Sequence, residues 1–165
     1  MSSRSVFAVL AALWLCACGF QPMYGTLAAP AAVDKPIDIA NIPNRDGQYL
    51  RNLLIDRLTP RGSAEKPVYR LTVTPLARET VNIGVRRDAS ATRGQMQISG
   101  RMTLTDIESG KTLLERDLKI VGAYDLLDNQ LATLVTRQNV IDNILQEMAA
   151  DVVTQLDLYF RRAAP

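Results

Sequence analysis

Two spacings of apolar residues take turns along the chain. Ile37 and Ile39 flank Asp38, which predicts a short first strand near residues 35–42, ended by Pro43. Leu50, Leu53, Leu54 and Leu58 then recur at helical spacing. Asn44 stands where an N-cap belongs, Asp46 suits the first turn, and Pro60 and Gly62 stop the helix. Arg51 and Asn52 fall on its other side as a solvated face.

From Tyr69 the period changes to two. Tyr69, Leu71 and Val73 alternate with Arg70, Thr72 and Thr74, as in a half-buried strand. Pro75 demands a bulge or an edge position, and Val81, Ile83 and Val85 resume the same parity, so the reading is one long bent strand. A polar link from Gly84 to Gly94 leads to a second run, with Met96, Ile98, Met102 and Leu104 on one face and Gln97, Ser99, Arg101 and Thr103 on the other. Asp106 to Lys111 reads as a hairpin connection in which Gly110 supplies a positive φ. In the last strand Leu114, Leu118 and Ile120 alternate with Glu115, Asp117 and Lys119. Three such runs joined by short polar links form an antiparallel meander.

The longest periodic segment is the last. Leu134, Ile141, Leu145, Met148, Val152, Leu156 and Tyr159 recur every three to four residues, and Ile144, Ala149, Val153 and Phe160 widen the stripe. A helix from about Leu131 to Arg161 would run roughly 45 Å at 1.5 Å per residue, with Arg161 and Arg162 opposing its negative end. A long amphipathic helix beside a sheet with one apolar face covers that face. The expected fold is therefore α+β, in the order β-α-β-β-β-α, with two helices packed on one face of a four-stranded mixed or antiparallel sheet.

One stretch keeps neither period. Behind Arg4, the apolar run from Val6 to Leu15 has the length of a signal core and falls short of the ~20 residues a spanning helix needs. It ends in Leu15-Cys16-Ala17-Cys18, which resembles a bacterial lipobox: an aliphatic residue three before the cysteine and a small one just before it. That resemblance implies a diacylglyceryl thioether on Cys18 and an acylated amine after cleavage, and several chains anchor a protein stably where one does not. A plain secretory signal is the alternative, but Ala12-Leu13-Trp14 and Leu15-Cys16-Ala17 are both poor small-x-small triplets. Gly19 stands where lipoproteins kept at the inner membrane usually show Asp, which implies the outer membrane, with the domain on its periplasmic face.

The expected organisation is residues 1–17 as signal peptide, 18–33 as lipidated N-terminus and tether, and 34–165 as a single α+β domain. Phe20, Met23 and Tyr24 in the tether have two readings, burial among lipid headgroups or docking on a partner. Cys16 and Cys18 are the only cysteines, so packing must hold the domain together without a disulfide.

The same inventory argues against an enzyme. The 165 residues hold no histidine, which excludes Ser-His-Asp and Cys-His nucleophiles and His/Cys zinc sites. No glycine-rich phosphate loop, nucleophile elbow or calcium loop is present, and the carboxylates are scattered. No catalytic residue, cofactor or metal is expected. With 19 basic and 17 acidic residues, no global attraction to nucleic acid follows, but the distribution is uneven. Arg61 to Arg101 carries eight basic residues against three acidic, and Met102 to Phe160 four against ten.

The segment Cys18-Gly19-Phe20-Gln21-Pro22-Met23-Tyr24-Gly25 is similar to the Cys-Gly-Phe-x-Pro-Leu-Tyr start of the lipopolysaccharide-assembly lipoprotein family LptE. Ile39 to Leu54 also resembles that family's first strand and helix, and the order of elements matches to the C-terminal helix. The resemblance implies a non-enzymatic outer-membrane lipoprotein that forms a complex with the β-barrel LptD, supports its assembly, partly plugs it and contacts lipopolysaccharide. On that reading the basic middle of the chain would meet lipid A phosphates through Arg86, Arg87 and Arg93 at one end of the sheet, since a guanidinium offers paired donors matched to phosphate oxygens. Arg101, facing outward on its strand, is a weaker candidate. The plain alternative is three solvated arginines in an exposed link. Two other protein classes compete: an accessory lipoprotein of a phospholipid-transport ABC system, and a lipid-anchored hydrolase, which would need paired carboxylates in a cleft.

Overall fold

The computed structural model describes residues 32, 35–62, 64–85, 91–126 and 130–163. Its elements are β1 Ile37–Ile39, α1 Asn44–Leu58, β2 Tyr69–Val73, β3 Ala77–Val85, β4 Ala91–Asp106, β5 Thr112–Asp125 and α2 Gln130–Ala163. β1 pairs parallel with β2, while β2, β3 and β5 all pair antiparallel with β4. The fold is α+β with both helices against one face of a mixed sheet, as the apolar patterns require. The sheet has five strands where four are expected.

The extra strand comes from a break in the long run after Tyr69. β2 and β3 lie end to end along the same side of β4. Val73 faces Met102 and Ala77 faces Ser99, so Thr74, Pro75 and Leu76 span the interval that Gly100 and Arg101 span on β4. One residue too many on one side is a bulge, and Pro75, which lacks an N–H, sits in it. Thr74 bridges the gap in the ladder. Its N–H donates to the Arg101 carbonyl at 2.9 Å, and its hydroxyl accepts from the Arg101 N–H at 2.9 Å.

Crossing the bulge exchanges the two faces of the strand. Before it, Leu71 and Val73 are buried. After it, Arg78 and Thr80 are the partners of Ile98 and Met96 on the helix side, and Val81 is 59% exposed. The expectation that Val81, Ile83 and Val85 continue the face of Tyr69, Leu71 and Val73 is thereby corrected at Val81, because a slip of one residue moves a side chain to the other face; the side chains of Ile83 and Val85 lie outside the described ones. The polar link expected from Gly84 to Gly94 is also shorter. β3 and β4 run up to Val85 and back from Ala91, leaving residues 86–90, which lie outside the described residues.

At the start of α1 the expected cap is not made. Asn44 has φ 71°, a left-handed conformation that asparagine tolerates, and no side chain bonds the first turn. The entry is instead held by Gln48, whose Nε2 donates to Asn41 Oδ1 at 2.6 Å and to the Ile42 carbonyl at 2.7 Å. Arg51, expected on a solvated face, donates from Nε to the Ile39 carbonyl at 3.2 Å and so ties α1 to β1. The helix stops where Thr59 turns back, its N–H and hydroxyl donating to the Ile55 carbonyl at 2.9 and 3.0 Å.

The core lies between the layers. Leu50, Leu54 and Leu58 of α1, Leu71, Ile98, Met102, Leu104 and Leu118 of the sheet, and Leu145, Met148, Val152 and Leu156 of α2 are all buried in one cluster. Burying such side chains is worth roughly 1.5–3 kcal/mol each before the entropy of ordering them. Ala32 belongs to the same cluster. At 34 residues α2 is about 50 Å long. Leu134 departs from the expected stripe at 57% exposed. Val140 packs on Gly122, and Arg137, one turn earlier, lies over Tyr124, so the turn before it projects past the end of β5 at Asp125.

Candidate ligand-binding end of the sheet

Of the candidate arginines, the structure places Arg93 at the end of the sheet where β3 ends and β4 begins. Arg93 lies on β4 and not in a link. It is exposed, with Ile83 of β3 as one Cα partner and Asp125 of β5 as the other, on the face turned away from the helices. No ion pair joins it to Asp125 among the described residues. Arg86 and Arg87, which stand between β3 and β4 in the sequence, and Cys18 lie outside the described residues.

Arg101 is engaged already. Its Nε donates to Asp117 Oδ1 at 2.8 Å and its Nη1 to Glu115 Oε1 at 3.0 Å, on the exposed outer face of β4 and β5. Asp117 first, and then Glu115, raise its pKa further above the ordinary arginine value. An incoming anion would have to displace two carboxylates, which separates Arg101 from Arg93 in both place and availability.

The structure adds a cation that pattern reading passed over. Arg137 lies on the helix side of the same sheet end, its guanidinium carbon 5.4 Å from the centre of the Tyr124 ring. Its Nε is buried without a hydrogen-bond partner, as is the Tyr124 hydroxyl. A cation over an aromatic face gains some electrostatic stabilisation. The signal was present in the sequence: Arg137 stands between Leu134 and Ile141 at spacings of three and four, a position of the apolar stripe given to a charge. Beside it, Leu131, Leu134 and Val135 are exposed at 73%, 57% and 60%.

This end of the molecule therefore presents Arg93 on one face of the sheet, Arg137 on the other and an apolar helix turn beyond them. Among the described residues no group of three or more acidic, cysteine or histidine side chains stands ready for a metal. Nor, among the described residues, is any helix long and apolar enough to cross a membrane.

Two helices on one face of such a sheet define a two-layer α+β fold that several solved proteins share. A lipoprotein of Caulobacter crescentus CB15 is 19% identical, with a TM-score of 0.61, over 81% of this chain and 93% of its own. Rare lipoprotein B of Shewanella oneidensis is 14% identical, with a TM-score of 0.56, over 72% and 89%. A minor lipoprotein of Acinetobacter baumannii is 13% identical, with a TM-score of 0.61, over 76% and 93%. Among curated proteins no sequence matches. The LptE family profile, described as lipopolysaccharide-assembly, matches residues 35–156, and the chain belongs to that family.

Proposed function

We propose that this chain is an outer-membrane lipoprotein, anchored through Cys18, that forms a non-enzymatic complex with the β-barrel LptD, supports its assembly, partly fills it and contacts lipopolysaccharide on its way to the cell surface. The observation that carries the reading is the family match across the whole folded unit from β1 into α2. A fold built from one continuous apolar core suits a subunit that works by packing and contact. The phosphate contact falls to Arg93 together with Arg86 and Arg87 of the adjoining link, and Arg137 joins them from the helix side. Each guanidinium would present paired donors to a phosphate. Acyl chains would lie on the exposed turn at Leu131, Leu134 and Val135.

The assembly is tested by extracting the C-terminally tagged chain from outer membranes in mild detergent and identifying what copurifies in near-equal amount. A large β-barrel supports the reading; inner-membrane transport components, or no partner, overturn it. The contact is tested by binding to purified lipopolysaccharide at physiological salt. Replacing Arg86, Arg87 and Arg93 by Ala is expected to weaken binding at least tenfold, and unchanged binding removes these residues from the site.

A further inference from the structure

A second feature lies at the opposite end of β5. α2 crosses the sheet at a slant: Val140 and Ile144 press on Gly122, where an added Cβ would stand 2.7 Å from Val140 Cγ1. The far end of α2 leans toward β2, where Phe160 meets Tyr69 edge-on with ring centroids 5.2 Å apart. The first residues of β5 are only partly covered, Leu113 and Leu114 being half-buried. The resulting groove has a volume of about 500 Å³ and is lined by Leu113, Leu114, Leu158 and Tyr159 with the polar Glu115, Arg116, Gln155 and Arg162.

Two properties of this groove point to a particular occupant. The first is charge. Of the four arginines nearby, Arg101 is paired with Asp117 and Glu115, and Arg161 with Asp157 at 2.8 Å. Arg116 and Arg162 have no carboxylate partner among the described residues; Arg116 donates only to the Glu115 carbonyl, at 2.9 Å. The groove thus holds two guanidinium groups without a carboxylate partner beside leucine and tyrosine side chains, while its one carboxylate, Glu115, is held by Arg101. The second is backbone. β5 is a 14-residue strand that pairs, among the described residues, with β4 alone, so its other edge carries main-chain donors and acceptors without a strand partner.

We infer that the first half of β5 and this groove dock an extended acidic segment of a partner polypeptide, added to the sheet as a further strand. Main-chain hydrogen bonds to β5 supply affinity, and the groove selects alternate side chains, an apolar one against Leu114 and Leu158 and an acidic one between Arg116 and Arg162. A lipid headgroup would satisfy the arginines but leave the strand edge to water, whereas a peptide strand uses both features at once. The charges of Glu115, Asp117 and Lys119 along the same edge discourage indiscriminate pairing, so recognition depends on the partner's own charge pattern.

The test uses the full chain in mild detergent and a fluorescent seven-residue peptide of alternating glutamate and valine, with a lysine and valine peptide as control. The acidic peptide is expected to bind saturably, to slow amide exchange in β5 from Leu113 to Asp117, and to lose at least tenfold in affinity to the Arg116→Ala, Arg162→Ala double variant. Both arginines are on the surface, so that variant keeps the fold. Failure of the acidic peptide to bind, equal binding of the two peptides, undiminished binding to the double variant, or binding without slowed exchange in β5 each overturns the inference. Competition by phosphatidylglycerol vesicles, with no protection of β5 by peptide, would make the groove a headgroup site instead. Lipopolysaccharide binding, measured in parallel, is expected to be unchanged in the double variant, so this inference and the proposed function fail separately.

Discussion

The ring of Tyr124 on β5 packs against Gly94, its Cα partner on β4, so closely that a Cβ at position 94 would stand 2.3 Å from the ring's Cζ. The strand has no side chain there because the neighbouring ring occupies the place. Gly94→Ala is expected to destabilise the fold by about 1–3 kcal/mol, since the ring must shift off a tightly packed surface. Chemical denaturation measures it. Pairing the change with Tyr124→Leu, which frees that space, is expected to cost less than the sum of the two single changes, whereas strict additivity would show that the contact is not the cause.

The bulge at Pro75 makes a pair of valines behave oppositely. Val73 is 3% exposed and Val81 59% exposed. Val73→Ser is expected to cost about 2 kcal/mol or more through lost packing and a buried hydroxyl. Val81→Ser is expected to stay within about 0.5 kcal/mol. Similar losses at the two sites, measured in urea, would contradict the exchange of faces.

The same exchange brings Arg78 to the helix side, where its guanidinium pairs with Asp46 in the first turn of α1. Both side chains are partly open to solvent, so the coupling is expected to be about 0.5–1 kcal/mol in a double-mutant cycle with Ala at each position, and to shrink in 1 M salt. A coupling of zero at low salt would remove the pair from the forces joining β3 to α1.

The β4–β5 hairpin carries a pH-dependent device. The Ser109 N–H and hydroxyl donate to Asp106 Oδ1 at 2.8 and 2.7 Å and hold that carboxyl below its ordinary value, the backbone N–H being the larger cause. A depressed carboxyl contributes stability that is fully present above the unfolded-chain pKa and is lost as pH falls through the folded one. Asp106→Asn is therefore expected to destabilise at neutral pH and to approach the parent protein in strongly acidic solution. A difference in stability that does not change with pH would show that the charge is not what counts.

Local patterns were enough to reveal both helices, the meander, the Asp106 to Lys111 turn and the single apolar face, because each depends on spacing within a dozen residues. Gly110 indeed takes φ 68° in that turn. The charge asymmetry along the chain was likewise visible. The register between strands was not visible. Tyr69 to Val85 keeps one parity in sequence, and only the register against β4, with three residues facing two at Pro75, decides that Val81 faces water and Arg78 faces α1.

Partners in space follow the same rule. Arg101 reads as an outward arginine like Arg93, yet the strand beside it supplies Asp117 and Glu115 to one and leaves the other exposed. Arg137 reads as a charge interrupting a helical stripe, and becomes a candidate only because that turn of α2 sits over Tyr124 at the end of β5. The chain's own periodicity determined which elements form and which face of each is apolar, since burial rewards those spacings wherever the element lies. Which charges remain available was decided by the tertiary structure, because a salt bridge and a strand register join residues that are far apart along the chain.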